Sequence, residues 1–142
     1  MKYMLDTNMI IFLKECIYSD KEEMKLRYKK LKEAFDKIKR DDICVSSITY
    51  AELEYGINKS NKREQNRLAV TMLMSQIEIL SYDSLAAMHY GEIRSSFEKS
   101  GNVIGPNDLL IASHARSRGL ILVTNNISEF RRVDGLRIAD WT

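Results

Sequence analysis

The chain has 142 residues, of which 44% are hydrophobic and 30% charged, and its formal net charge is +2. This length fits one domain over residues 1–142, and the composition excludes a disordered chain. No apolar run approaches the roughly 20 residues of a membrane span, and the N-terminus lacks the features of a signal peptide. We therefore expect a cytoplasmic protein without a membrane partner. The small net charge neither requires nor excludes binding to nucleic acid.

The first third of the chain is predicted to form two helices between two short strands. An apolar run over residues 1–5 ends in Asp6-Thr7-Asn8, which predicts a buried strand followed at once by a helix. A capping-box pattern at residues 19–22 then opens a segment with apolar residues at steps of three and four, which predicts one long amphipathic helix up to Arg40. Residues 21–40 contain nine Lys and Arg against four Asp and Glu. That helix is either a surface for a phosphate backbone or an ordinary solvated face.

The rest of the chain continues to alternate between strand and helix. Short apolar runs predict strands at residues 43–46, 77–80, 120–124 and 136–138. Helical patterns lie between these runs, and one helix is expected to begin at Pro106, because proline suits the first turn of a helix. This alternation predicts an α/β fold, a three-layer α/β/α sandwich around a parallel sheet of four or five strands.

Four polar residues either follow a predicted strand or lie early in the helix beside it: Asp6, Glu52, Asp108 and Asn126. The carboxyl ends of parallel strands meet at one edge of the sheet, so we expect these four side chains to face one crevice. Each also has a purely structural explanation, because three of them suit helix capping and Glu52 suits an exposed helix face.

A crevice that holds three carboxylates is costly unless they share a cation or a proton, because like charges repel. A donor set of oxygens without His or Cys favours a hard cation, Mg²⁺ or Mn²⁺. Such an ion activates water and offsets charge at a phosphate, so the pattern indicates phosphodiester hydrolysis.

The chain resembles the PIN-domain ribonucleases, and most closely the VapC-type toxins of VapBC toxin–antitoxin systems. The matching segments are residues 4–8 (MLDTN), 47–56 (SITYAELEYG), 104–112 (IGPNDLLIA), 122–126 (LVTNN), 129–130 (EF) and 140–141 (DW). The resemblance covers essentially the whole chain in order. It implies an endoribonuclease that depends on Mg²⁺, with Mn²⁺ as the alternative cofactor.

The resemblance also implies a role for each site residue. Asp6 and Asp108 bind the metal ion, while Glu52 and Asn126 complete the catalytic set. Many family members carry a fourth acid where this chain has Asn126, so the resemblance does not extend to a second metal ion. The supporting residues of the pocket are Thr7, Asn8 and Thr124.

Partners follow from the same resemblance. It implies an RNA substrate, by analogy tRNA and in particular the anticodon stem-loop of initiator tRNA. It further implies a VapB-type antitoxin that inserts a segment into the pocket, a homodimer and a toxin–antitoxin hetero-oligomer. Arg131 and Arg132 are candidate RNA contacts because the guanidinium group binds phosphate oxygens in a bidentate manner.

Three alternatives remain open at this point. The first alternative is a PIN-fold RNA-processing nuclease outside any toxin–antitoxin system. The second is a non-catalytic RNA-binding module, and the third is an aspartyl-phosphate enzyme with Asp6 as the nucleophile. The last of these is disfavoured, because Asp6-Thr7-Asn8 lacks a second aspartate two residues on and no lysine follows the late apolar strand.

Overall fold

A computed structural model describes residues 2–142, and this part of the chain forms five β-strands and eight α-helices. The strands are β1 (Tyr3–Leu5), β2 (Ile43–Ser46), β3 (Glu78–Leu80), β4 (Ile121–Val123) and β5 (Arg137–Ala139). The helices are α1 (Thr7–Tyr18), α2 (Glu22–Arg27), α3 (Lys29–Lys37), α4 (Ser47–Lys59), α5 (Arg63–Met74), α6 (Ser84–Ser100), α7 (Pro106–Ser117) and α8 (Ile127–Phe130). A 3₁₀ turn (Arg40–Asp42) precedes β2.

The strands form one parallel sheet in the order β3-β2-β1-β4-β5. The first strand is the central one, because Tyr3 is paired with Ile43 of β2 on one side and with Ile121 of β4 on the other. Parallel neighbours require crossover connections, and helices provide them here. The predicted α/β fold with a parallel sheet is confirmed, and the sheet has five strands.

Two hydrophobic clusters cover the two faces of the sheet. Successive side chains of β1 point to opposite faces, so Leu5 joins the cluster under α1, α3, α4 and α5, whereas Met4 joins the cluster under α6 and α7. The three inner strands, β1, β2 and β4, are almost continuously apolar, as expected for strands with both faces buried. Helices on both faces give the sandwich its three layers.

The prediction of one long helix between residues 19 and 40 is wrong. The chain leaves helical geometry at Tyr28, with φ −108° and ψ 21°, so two shorter helices form. Tyr28 is buried there and stacks on Phe12 of α1, with ring centroids 4.6 Å apart. The capping box predicted at residues 19–22 is also absent. The Ser19 hydroxyl accepts a hydrogen bond from the Lys21 backbone N–H, and Lys21, the cap residue of α2, makes no side-chain hydrogen bond to that helix.

The predicted strands at residues 43–46, 77–80, 120–124 and 136–138 agree with the structure to within one residue at their ends, and α7 begins at Pro106 as predicted. Asp83 caps α6 through the Ala86 backbone N–H, and Gly101 ends that helix in the left-handed conformation with φ 77°. Residues other than glycine rarely adopt this backbone conformation. No helix within residues 2–142 has the length and apolarity that crossing a membrane requires.

Candidate active site

Asp6 lies at the carboxyl end of the central strand and is both a buried acid and a helix cap. Its side chain is 3% exposed, and Oδ1 accepts a hydrogen bond of 2.9 Å from the Met9 backbone N–H, which caps α1. Its carboxyl group also hydrogen-bonds the side chain of Thr124, the buried residue that follows β4. The structural and the functional explanations of Asp6 are therefore compatible with each other.

The pKa of Asp6 depends on its burial, its hydrogen bonds and the charges of its neighbours. Burial raises the pKa of Asp6 to about 6, against the hydrogen bonds from Thr124 and Met9, which lower it. The negative charges of Asp108 and Glu52 add to the rise. Hydrogen bonds join Glu52 to Thr7, the neighbour of Asp6, and to Asn107, the neighbour of Asp108, so the three predicted acids lie at one edge of the sheet.

Glu52 is a half-exposed residue on α4 whose two carboxylate oxygens each have a donor. The Thr7 hydroxyl donates to Oε1 over 2.6 Å, and the Asn107 side-chain amide donates to Oε2 over 3.1 Å. The Thr7 hydroxyl also lies 3.2 Å from the hydroxyl of Thr49, which is fully buried. Thr7 thus supports the acidic pocket from α1, and Asn107 supports it from α7.

Asp108 is the third residue of α7, which begins after Gly105 with Pro106 in its first turn. Partial burial raises the pKa of its carboxyl group, and the charges of Glu129 and then Glu52 raise it further. Glu129 belongs to α8, directly after β4. The charge of Glu129 therefore acts on Asp108, and Glu129 is not one of the site residues predicted from the sequence.

Asn126 is connected to this fourth acid. Its side-chain amide donates to Oε2 of Glu129 over 2.9 Å, and its backbone N–H donates to the Thr124 hydroxyl over 3.0 Å. The capping box suggested by Asn126 and Glu129 does not form, because the Asn126 side chain makes no cap bond to α8. The position of Glu129, three residues after Asn126, was the available signal, but a capping box explains the same spacing.

Three predicted residues lie apart from the acids. Asn8 is exposed on the first turn of α1, and no hydrogen bond between described residues joins its side chain to the acids. Arg131 is exposed just after α8. Arg132 is half-buried, and its guanidinium carbon lies 5.4 Å from the centroid of the Phe97 ring, so part of its role is packing.

The acids of this edge are oxygen donors of the kind that bind divalent cations. None of the ion pairs formed between residues 2–142 uses Asp6, Glu52, Asp108 or Glu129, so their charges are not neutralised by a Lys or Arg. Within the same residues no three His, Cys, Asp or Glu side chains are gathered closely enough to surround a metal ion. Carboxylate oxygens that repel one another are nevertheless the ligands that hard divalent cations select.

Comparison with known proteins defines the class of this one. Residues 3–136 match the PIN domain, which accounts for nearly the whole chain. The fold is thus that of a PIN domain, and nucleases of this class generally depend on a divalent metal ion.

Relatives over the full length place the chain more narrowly. It is 43% identical to the tRNA(fMet)-specific endonuclease VapC of Shigella flexneri, over 100% of this chain and 99% of that protein. It is 41% identical to ribonuclease VapC2 of Rickettsia felis, over 99% of this chain and 98% of that protein. The chain belongs to the VapC family of PIN-domain ribonucleases.

Solved structures agree with this assignment. The structure of DNA-bound VapBC from Salmonella typhimurium matches with a TM-score of 0.83 and 42% identity, over 100% of this chain and 99% of that one. The structure of VapBC-1 from nontypeable Haemophilus influenzae matches with the same TM-score of 0.83 and 37% identity, over 99% of this chain and 98% of that one. The fold of this chain is therefore that of the toxin subunit in VapBC complexes.

Proposed function

We propose that this chain is a Mg²⁺-dependent endoribonuclease that cleaves tRNA in the cytoplasm and is neutralised by a VapB-type antitoxin. The observation that carries the proposal is the group of acids at the sheet edge, in a chain 43% identical to a tRNA(fMet)-specific endonuclease. Initiator tRNA, cut in its anticodon stem-loop, is the proposed substrate. Residues 1–142 would act as a single PIN domain.

The proposal assigns the cation to Asp6 and Asp108. Asp6 is held by its bonds to Met9 and Thr124, so its oxygens are fixed before any ligand arrives. Asp108 is presented by the first turn of α7. Burial and repulsion raise the pKa of both acids, and a shared cation would remove that cost.

The chemistry divides between the ion and the chain. Bound Mg²⁺ supplies a Lewis acid that makes water a better nucleophile and a positive charge that offsets charge on the phosphate. Glu52, with a donor on each oxygen, is proposed to orient the attacking water and take up its proton. Asn126 is proposed to hold Glu129 toward Asp108, so that Glu129 takes the place of the fourth acid.

Partners are proposed by likeness to the relatives. The matching structures include VapBC complexes bound to DNA, from Salmonella typhimurium and Rickettsia felis, so we expect this chain to form a homodimer and a hetero-oligomer with its antitoxin. An antitoxin segment inserted at the acidic edge would block access of RNA to Asp6 and Asp108. Arg131, exposed beside α8, is the stronger of the two arginine candidates for an RNA contact.

The test compares initiator tRNA with elongator methionine tRNA as transcripts, using the purified chain with Mg²⁺. We expect cleavage in the anticodon stem-loop of the initiator tRNA alone, and its suppression by an equimolar amount of the cognate antitoxin. Equal cleavage of both transcripts would remove the substrate assignment. Cleavage that no antitoxin suppresses would favour an RNA-processing nuclease outside a toxin–antitoxin system, and binding without cleavage would favour an RNA-binding module.

A further inference from the structure

Asn107 is an exposed residue on the first turn of α7, adjacent in sequence to Asp108. Its side-chain amide reaches across to Oε2 of Glu52 on α4, at 3.1 Å and 55 residues away in the chain. This bond connects the helix that presents one acid of the site to the side chain of another.

Glu52 needs such a connection because of its neighbours. Its charge acts on both Asp6 and Asp108, and repulsion between like charges pushes a flexible carboxylate away from them. Because Glu52 is half-exposed, its carboxylate can turn away from the pocket into solvent. An attractive contact on the side of the other acids is required to keep it in the pocket.

One donor does not fix a carboxylate. The Thr7 hydroxyl binds Oε1 over 2.6 Å, and about that single contact the carboxylate plane remains free to turn. The second contact, from Asn107 to Oε2, fixes the plane and the direction in which the free lone pairs point.

The chemical type of the second donor also matters. A Lys or Arg at position 107 would hold Glu52 equally well, but its positive charge would compete with a cation for the same acids. An amide donates a hydrogen bond without adding charge, so it positions Glu52 and leaves the negative potential of the pocket intact.

We propose that Asn107 is a positioning residue that holds the Glu52 carboxylate toward Asp6 and Asp108 for RNA cleavage. This inference rests on the proposed function. Outer contacts that orient the groups of a metal site typically affect activity or metal affinity by about 10–100-fold, although this bond is exposed and contributes little to folding.

The test begins with Asn107→Ala. We expect kcat for RNA cleavage to fall on the order of 10-fold, with KM and the melting temperature nearly unchanged. Asn107→Asp keeps the shape and removes the donor, so it should lose at least as much, whereas Asn107→Gln retains an amide and should recover part of the loss. Asn102→Ala, at an exposed asparagine of the preceding loop, is the matched control and should behave as the wild type.

A double-mutant cycle separates positioning from direct contact with RNA. In a Glu52→Ala background, Asn107→Ala should cause no further loss in single-turnover cleavage, because its effect passes through Glu52. A loss of the same factor in both backgrounds would overturn the proposal and indicate that Asn107 contacts the substrate itself.

A second readout needs neither metal nor activity. In the metal-free protein, the NMR signals of the Asn107 side-chain amide should shift and exchange faster with solvent in Glu52→Ala, since one amide proton loses its acceptor. Signals that do not respond to Glu52→Ala would overturn the inference even if the wild-type chain cleaves RNA. An inactive wild-type chain with responding signals would instead contradict the proposed function.

Discussion

Asp6 both stabilises and destabilises the folded chain. The bond from the Met9 N–H to its carboxylate stabilises the start of α1, while burial near two other acids penalises its charge. Asp83 performs the same capping task on α6 through the Ala86 N–H, but it is exposed at the surface. The pKa of Asp83 is lowered, chiefly by that backbone hydrogen bond, whereas the pKa of Asp6 is raised to about 6.

This contrast predicts opposite effects of two isosteric substitutions in metal-free protein. The folded pKa of Asp6 lies above its ordinary value of 3.8, so folded Asp6 retains a proton that the unfolded chain has lost between about pH 4 and 6. Wild-type stability therefore falls as pH rises through this window and stays reduced above it. Asp6→Asn should be more stable than the wild type at pH 8, by roughly 1–2 kcal/mol or about 3–6 °C in melting temperature, and should lose this advantage by pH 4.

Asp83→Asn is the matched control for that measurement. Its lowered pKa contributes stability that is present above pH 3.8 and is lost as pH falls through the folded pKa, so this substitution should be destabilising at pH 8. Thermal melts in EDTA across pH 4–8 measure both variants. An Asp6→Asn protein that is less stable than the wild type at every pH would contradict the burial of an unneutralised acid.

Glu129 lies in the matching segment 129–130 but was not predicted as a site residue. The charge of Glu129 raises the pKa of Asp108 more than the charge of Glu52 does. Glu129→Gln should lower kcat by about 10–100-fold, the range found when a group that supports a metal site is removed. Ser128→Ala, at an exposed position on the same short helix, is the control. Full activity of Glu129→Gln would limit the site to three acids.

For the helices between β1 and β2, the charge pattern alone does not decide between an RNA-binding surface and a solvated face. Leu31 and Phe35 of α3 are almost completely buried in the cluster that also holds Leu5, so this helix is part of the core. Two of its four lysines are paired within the helix, Lys29 with Glu33 and Lys32 with Asp36. The basic excess is therefore partly neutralised before any RNA arrives.

These pairs predict the outcome of a charge-removal experiment on α3. In an Asp108→Asn background that prevents cleavage, replacement of Lys29, Lys30 and Lys32 with Gln should leave the salt dependence of RNA binding unchanged. Each lysine that contacts phosphate would contribute about one unit to the slope of log K against log salt. Binding measured at several salt concentrations tests this, and a slope reduced by two or three units would make α3 an RNA surface.

Prediction from sequence succeeded for elements whose signal is local. Strands such as β4 are short apolar runs between helical patterns, and α7 begins at Pro106, because proline suits the first turn of a helix. The break at Tyr28 was missed because its cause lies elsewhere in the chain, in the stacking of Tyr28 on Phe12. Periodicity on both sides of the break is compatible with one continuous helix, so no local signal marks it.

At the scale of the whole molecule, the site depends on strand order. Asp6 follows β1 and Thr124 follows β4, and these residues meet because β4 pairs with β1 across more than a hundred residues of chain. The sequence predicts that acids follow strands, and the parallel sheet then brings those strand ends to one edge. Which side chains hydrogen-bond there, as Asn107 does with Glu52, depends on the relative placement of two helices that the sequence pattern does not specify.

We propose above that the acids of this edge cleave RNA with the help of a divalent cation. The most direct measurement is cleavage of a tRNA pool by the purified chain in Mg²⁺ and in EDTA, beside Asp6→Asn, Asp108→Asn and the control Asp134→Asn, an exposed acid far along the chain. We predict discrete fragments only from the wild type and the control, and only with Mg²⁺. Cleavage retained by both folded Asp6→Asn and Asp108→Asn proteins, or undiminished in EDTA, would contradict the account.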